Sequence, residues 1–244
     1  MKYFFRSLAV VVILLTLLSN SSVNKSNLAA GELNGSWMNR DGGQEQVVVF
    51  IDGYTTHTIF SKAGKKFIET RGGTYTSTAG KLNISYEFDT KDKEQTGQTK
   101  SYDYAIKDGE LTISTGSGKT NFVRLDEGAA PLSGLWAISG RMQDGKIEQI
   151  HRTGTRKTIK ILSGSRFQWA AIDPGTKLFA GTGGGSYEFK NGKYTEHIEF
   201  FSRDSSRVGA SLSFDGKLEN GDWHHSGLSS KGDKIYEIWS RKKE

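Results

Sequence analysis

The chain has 244 residues, 30 of them glycine and only 2 proline, with a formal net charge of +6 and no cysteine. The lack of cysteine excludes disulfides and a lipid-modified cysteine, and the lysines and arginines are scattered among acids instead of forming the basic stripe that nucleic-acid binding uses. Glycine well above the usual level of roughly 7%, together with 5 Trp, 9 Tyr and 13 Phe, points to many short strands joined by tight turns.

Residues 1–30 read as a signal peptide, with an uncleaved anchor as the alternative, because Lys2 and Arg6 precede the apolar run 8–18, short for a bilayer span, and small residues follow up to Ala30. This segment carries three of the cations and no acid, which leaves +3 on the remainder. The expectation is an exported protein, periplasmic or extracellular, with no stable membrane insertion after cleavage.

After residue 30 the elements read as strands. "LNGSWMN" (33–39) opens the first series, and "FIDGYTTHTIF" (50–60) follows. "LNISYEF" (82–88) sets Leu82, Ile84, Tyr86 and Phe88 against polar alternates, the period of a strand with one buried face. Asp108-Gly109 signals a hairpin, and "NFVR" closes the series at Arg124. The polar, small-residue stretch 125–131 reads as a linker ending in Pro131.

The pattern then starts again. "LSGLWAI" (132–138) matches 33–39 at Leu132, Gly134 and Trp136. "GGSYEFKNGKYTEHIEF" (184–200) matches residues 72–88 at seven positions without a gap, always 112 residues apart. Asp144-Gly145, Asn191-Gly192 and Asp215-Gly216 supply further hairpin signals, and "YEIWSR" closes on Arg241. Gly53 pairs with Gly164, which places Phe167 and Trp169 opposite Thr56 and Thr58. One fold is therefore written twice, as an all-β chain of two tandem antiparallel barrels of about eight short strands, with domains at 31–127 and 128–244.

A Gly-x-Trp on the first strand, an antiparallel meander and a basic residue on the last strand resemble the lipocalin and fatty-acid-binding group, the calycins, and lipocalin-like domains of secreted bacterial proteins. The residues that carry the resemblance are Gly35, Trp37 and Arg124 in the first copy and Gly134, Trp136 and Arg241 in the second. It implies that each Trp plugs one barrel end with the Arg packed across it, and that a cavity takes a small ligand.

The second copy carries the candidate chemistry. Glu196 stands where the first copy has Ile84, on a face that alternation predicts to be buried, and a buried carboxylate needs a partner. Candidate partners are Arg166, His224 and His225, and candidate walls are Phe167, Trp169, Tyr194, Ile198, Phe200 and Trp223. Replacing Glu196 by Ile is then expected to stabilise the fold and weaken ligand binding. His197 falls on the outer face. No metal-ligand spacing, complete phosphate loop or nucleophile–base set is present: "GSGKT" (116–120) lacks the preceding glycine, which is Ile113. The leading expectation is a non-enzymatic binder of a small apolar or amphipathic molecule, with no cofactor, no metal and no nucleic-acid partner. The alternatives are filled barrels that bind protein or glycan by their surface, and an enzyme using Glu196 with a histidine.

Overall fold

The computed structural model describes residues 31–78, 80–150, 153–229 and 231–241, so the segment read as a signal peptide lies outside the described residues. The first eight strands are β1 (Gly35–Asp41), β2 (Gln44–Ile51), β3 (Tyr54–Ser61), β4 (Lys66–Thr78), β5 (Lys81–Asp89), β6 (Thr99–Lys107), β7 (Glu110–Thr115) and β8 (Gly118–Asp126). Each pairs antiparallel with the next, and β8 returns to β1 to close a barrel. Closure leaves no open sheet edge.

The second barrel is built from β9 (Gly134–Gln143), β10 (Lys146–Gln149), β11 (Lys157–Leu162), β12 (Arg166–Asp173), β13 (Leu178–Lys190), β14 (Lys193–Phe201), β15 (Ser211–Glu219), β16 (Asp222–Leu228) and β17 (Lys234–Arg241). β10 and β11 lie along one edge of β9, at Gly140–Gln143 and Gly134–Ala137 respectively, while β17 takes the other edge. Together they occupy the place of β2, split by an insertion, so this barrel also has eight staves. The connection between the barrels is 127–133, because Leu125 and Asp126 complete β8 rather than begin a linker.

Turn chemistry places the strands. Asp108-Gly109, Asp144-Gly145 and Asn191-Gly192 all take positive φ and close two-residue hairpins. Asp215-Gly216 does not: it lies inside β15, and the turn falls at Asn220-Gly221, with φ of 52° and 85°. Gly216 answers to packing instead, since a Cβ there would sit 2.8 Å from the Phe189 ring. The repeated Gly-Gly marks a β-bulge in each barrel, at Gly72/Gly73 and Gly184/Gly185. A Cβ on Gly73 would fall 1.9 Å from the Ser85 carbonyl oxygen, and one on Gly185 would fall 1.9 Å from that of His197.

Three apolar layers result. One fills the first barrel around Trp37, Phe50, Leu82, Leu111 and Phe122, and another fills the second around Trp136, Phe167, Tyr194, Phe214 and Trp223. The third lies between the barrels and joins Val47, Val49 and Phe60 to Ile159, Ile161, Ile172 and Phe200. It repeats itself under exchange of the two halves: Phe67 meets Phe200 at 6.4 Å between ring centroids, and Phe88 meets Phe179 at 6.0 Å. Two carboxylates follow the same exchange. Glu87 accepts from Tyr54 of its own barrel at 2.8 Å and from Lys157 of the other at 2.6 Å. Glu199 accepts from Arg166 of its own barrel and from Lys62 of the other at 3.1 Å.

One end of each barrel is plugged. The Arg124 guanidinium lies 3.9 Å from the centroid of the Trp37 ring, and Arg241 lies 4.4 Å from that of Trp136. Each indole N–H donates to a carbonyl four residues upstream, Leu33 at 2.9 Å and Leu132 at 2.8 Å.

Candidate functional site

The second barrel holds a cavity of about 240 Å³ at the end away from its plug. Lys160, on β11, and Glu196, on β14, meet across it at 2.8 Å, and both side chains are buried. The Lys160 ammonium also stands 5.1–5.2 Å from the ring centroids of Tyr194, Trp223 and Trp239, within cation–π range. The registers show what changed between the copies. Trp37 faces Val48 where Trp136 faces Lys160, and Tyr75 faces Ile84 where Tyr187 faces Glu196. An apolar pair has been exchanged for an ion pair.

A second polar group lies beside the first. His225, almost fully buried, places Nδ1 3.3 Å from the Glu237 carboxylate, which also accepts from the Trp239 indole at 3.0 Å. Burial, and then the Lys160 charge, lower the His225 pKa against the opposing pull of Glu237 and Glu196, so the imidazole is neutral at pH 7. Burial would raise the Glu237 pKa, but His225, Lys160 and the Trp239 N–H outweigh it and hold the carboxyl below its ordinary range. With His225 neutral, the cavity carries one cation and two carboxylates.

Of the residues expected at the site, Glu196, Trp169, Ile198 and His225 line the cavity. Phe167, Tyr194 and Trp223 belong to the packed interior between the cavity and the plug. Phe200 and Arg166 lie outside the barrel, in the layer between the two. The bulge opposite Gly184/Gly185 turns the parity of β14, so Phe201 points inward and Phe200 outward. Phe88 in the first barrel turns outward for the same reason. Arg166 pairs with Glu199, not Glu196. His224 bonds the Tyr236 hydroxyl at 2.8 Å, and His197 bonds Ser211 at 2.8 Å on the exposed side.

Lys160, Glu237 and Trp239 were not legible as site residues. β11 is buried on both faces, with Ile159 and Ile161 toward the other barrel and Lys160 and Leu162 toward the lumen, so no alternation tells which way the lysine points. The one available signal was that Lys160 aligns with Val48, opposite the repeated Trp.

The first barrel differs again. Its two-residue Asp52-Gly53 turn becomes three residues, 163–165, in the second barrel. The true partners of Phe167 and Trp169 are therefore Thr55 and His57, not Thr56 and Thr58. The inner cavity of this barrel is about 70 Å³, and His57 and Arg71 border it.

No protein-family model matches the chain, and no curated protein does. Among solved structures, the DNA polymerase III β subunit of Thermotoga maritima is similar over 93% of this chain and 80% of its own, at 8% identity. Its TM-score of 0.14 is too low for that likeness to bear on fold or function.

Proposed function

We propose that the protein is an exported, non-enzymatic carrier that holds a small amphipathic molecule in the second barrel. The observation that carries this reading is the buried Lys160–Glu196 pair at a cavity of about 240 Å³ with aromatic and aliphatic walls. A dry engineered cavity of roughly 150 Å³ already takes up benzene. A few placed polar groups among aromatic walls are what ligand pockets use to orient a guest. Tandem closed barrels, each with a Trp–Arg plug, support the lipocalin-like resemblance, and export rests on residues 1–30 of the sequence. Exposed aromatics around Trp223 would favour the alternative of filled barrels that bind by their surface, and the Trp223 side chain itself is fully buried. The enzymatic alternative needed a histidine on Glu196, and the cavity histidine bonds Glu237 instead.

Mass spectrometry of organic extracts from protein purified from its own host tests the reading. The expected result is a stoichiometric small molecule that is absent from a Lys160→Val/Glu196→Ile variant. An empty protein whose tryptophan fluorescence also fails to respond saturably to amphipathic probes sinks it.

A further inference from the structure

We infer that the β9–β10 hairpin is a self-association surface, and that its partner is β10 of a second copy of this chain. The first barrel closes without such an element. There β1 has 7 residues and turns directly into β2, whereas β9 has 10 and turns into β10, a strand whose four residues are all exposed. β10 pairs with β9 and with no other strand, because β12 pairs with β11 and β13. Its outer edge is therefore open, and an open edge is a template for another strand.

The main chain is set for such an addition. Asp144-Gly145 closes the hairpin on the pair Gln143 and Lys146, and the Ile150 N–H donates to the Ser139 carbonyl at 2.8 Å. Bonded and non-bonded pairs alternate along an antiparallel ladder. Lys146 and Glu148 thus spend their N–H and C=O groups on β9, and those of Ile147 and Gln149 point to the open side. Ile147 also stands opposite Met142 in the hairpin, and the two side chains are 48% and 42% exposed on one face.

Short length and charge commonly guard an edge against association. Here the order of the charges favours it. Lys146 and Glu148 flank Ile147, and among the described residues neither has an ion-pair partner. With a two-fold axis through Ile147, Lys146 of each copy faces Glu148 of the other. Ile147 faces its own copy and exchanges both main-chain hydrogen bonds with it, and the two Met142–Ile147 pairs merge into one apolar cluster on one face. Centring the axis on Lys146 or on Glu148 would set like charges opposite each other, so charge selects the Ile147 register. The product is a four-stranded bridge, β9–β10–β10–β9, that links two second barrels at the ends away from their plugs.

The test is sedimentation equilibrium of the protein from about 1 µM to about 1 mM, because two four-residue strands bury less than the roughly 1,200 Å² of stable complexes and associate weakly. A monomer–dimer equilibrium is expected within that range, and a protein that stays monomeric throughout overturns the inference. Ile147→Pro removes an N–H that β9 does not use, and should abolish the dimer while leaving the hairpin bonds in place. Lys146→Glu alone and Glu148→Lys alone each set like charges across the axis and should weaken self-association roughly tenfold. An equimolar mixture of these two variants should associate at least as tightly as the native protein, since every facing pair is then opposite in sign. If Ile147→Pro disturbs the hairpin, the mixing experiment decides by itself. Unchanged dimerisation of the single charge variants, or a mixture no tighter than either variant alone, would place the contact elsewhere and overturn the inference.

Discussion

Two buried charges, Lys160 and Glu196, reverse an expectation that the sequence invites. Read alone, Glu196 is a carboxylate on an apolar face, and Glu196→Ile should stabilise the fold. Lys160 at 2.8 Å changes the sign, because the single substitution strands a buried ammonium. Breaking one side of such a pair costs about 3–5 kcal/mol, whereas replacing both partners by apolar groups ranges from neutral to a gain of about 1–4 kcal/mol. Glu196→Ile should therefore lower the denaturation midpoint, and Lys160→Val/Glu196→Ile, which copies Val48 and Ile84, should restore or exceed it in urea titrations. His57 offers a second test at this scale. Its pKa falls from the ordinary 6.5 to about 3 on folding, so between those values the unfolded chain binds a proton that the native state refuses. Its contribution is complete above pH 6.5 and is lost as pH drops toward 3, at up to about 1.4 kcal/mol per pH unit. A His57→Gln protein should lose less stability than the native protein across that window, and parallel curves would refute the assignment.

Strands, the duplication and every hairpin but the one expected at Asp215-Gly216 were plain in the residues, because alternation and Asx-Gly turns are local properties. The facing of several side chains was not. β2 is apolar on both sides and β11 is buried on both sides, since one face fills a barrel and the other meets the neighbouring barrel. The bulges then shift parity partway along β5 and β14, which sent Phe88 and Phe200 to the opposite side from the one alternation assigned. One extra turn residue at 163–165 moved the alignment of β12 by a position and hid His57 as the counterpart of Trp169. The repeated Gly-Gly pair sits where the register shifts, with no room for a Cβ on Gly73 or Gly185. Gly73→Ala and Gly185→Ala each force a Cβ against a backbone carbonyl and should destabilise by about 3 kcal/mol, measured by thermal or urea unfolding. A loss below about 0.5 kcal/mol would mean that the bulge can relax.

At the scale of the whole molecule, the layer between the barrels ties their fates together. Phe200 is buried there with Phe60 at 5.0 Å between ring centroids, and Phe200→Ala should cost about 3–5 kcal/mol although the residue touches neither cavity. Asp126 reinforces the junction by accepting from Ser36 of its own barrel and from Ser163, Gly164 and Ser165 of the other. Burial alone would raise its pKa, and these bonds outweigh burial and hold it low. That stability is therefore present above the ordinary carboxylate pKa and lost as pH falls through the depressed one. Calorimetry near neutral pH should show a single cooperative transition, with calorimetric and van't Hoff enthalpies equal. Two resolved transitions would mean that the barrels unfold independently.

The exchange of Phe67–Phe200 for Phe88–Phe179, and of Glu87 for Glu199, is the signature of a self-complementary contact of the kind found in two-fold dimers. The protein has the anatomy of a homodimer whose partners share one chain. Its docking face belongs to outward residues and its chambers to inward ones, so the two lumens were free to diverge, one toward Arg71 and the other toward Lys160 and Glu196, without loosening the association. The tether at 127–133 is then incidental to recognition: halves 31–127 and 128–244, produced as separate polypeptides, should find each other in solution.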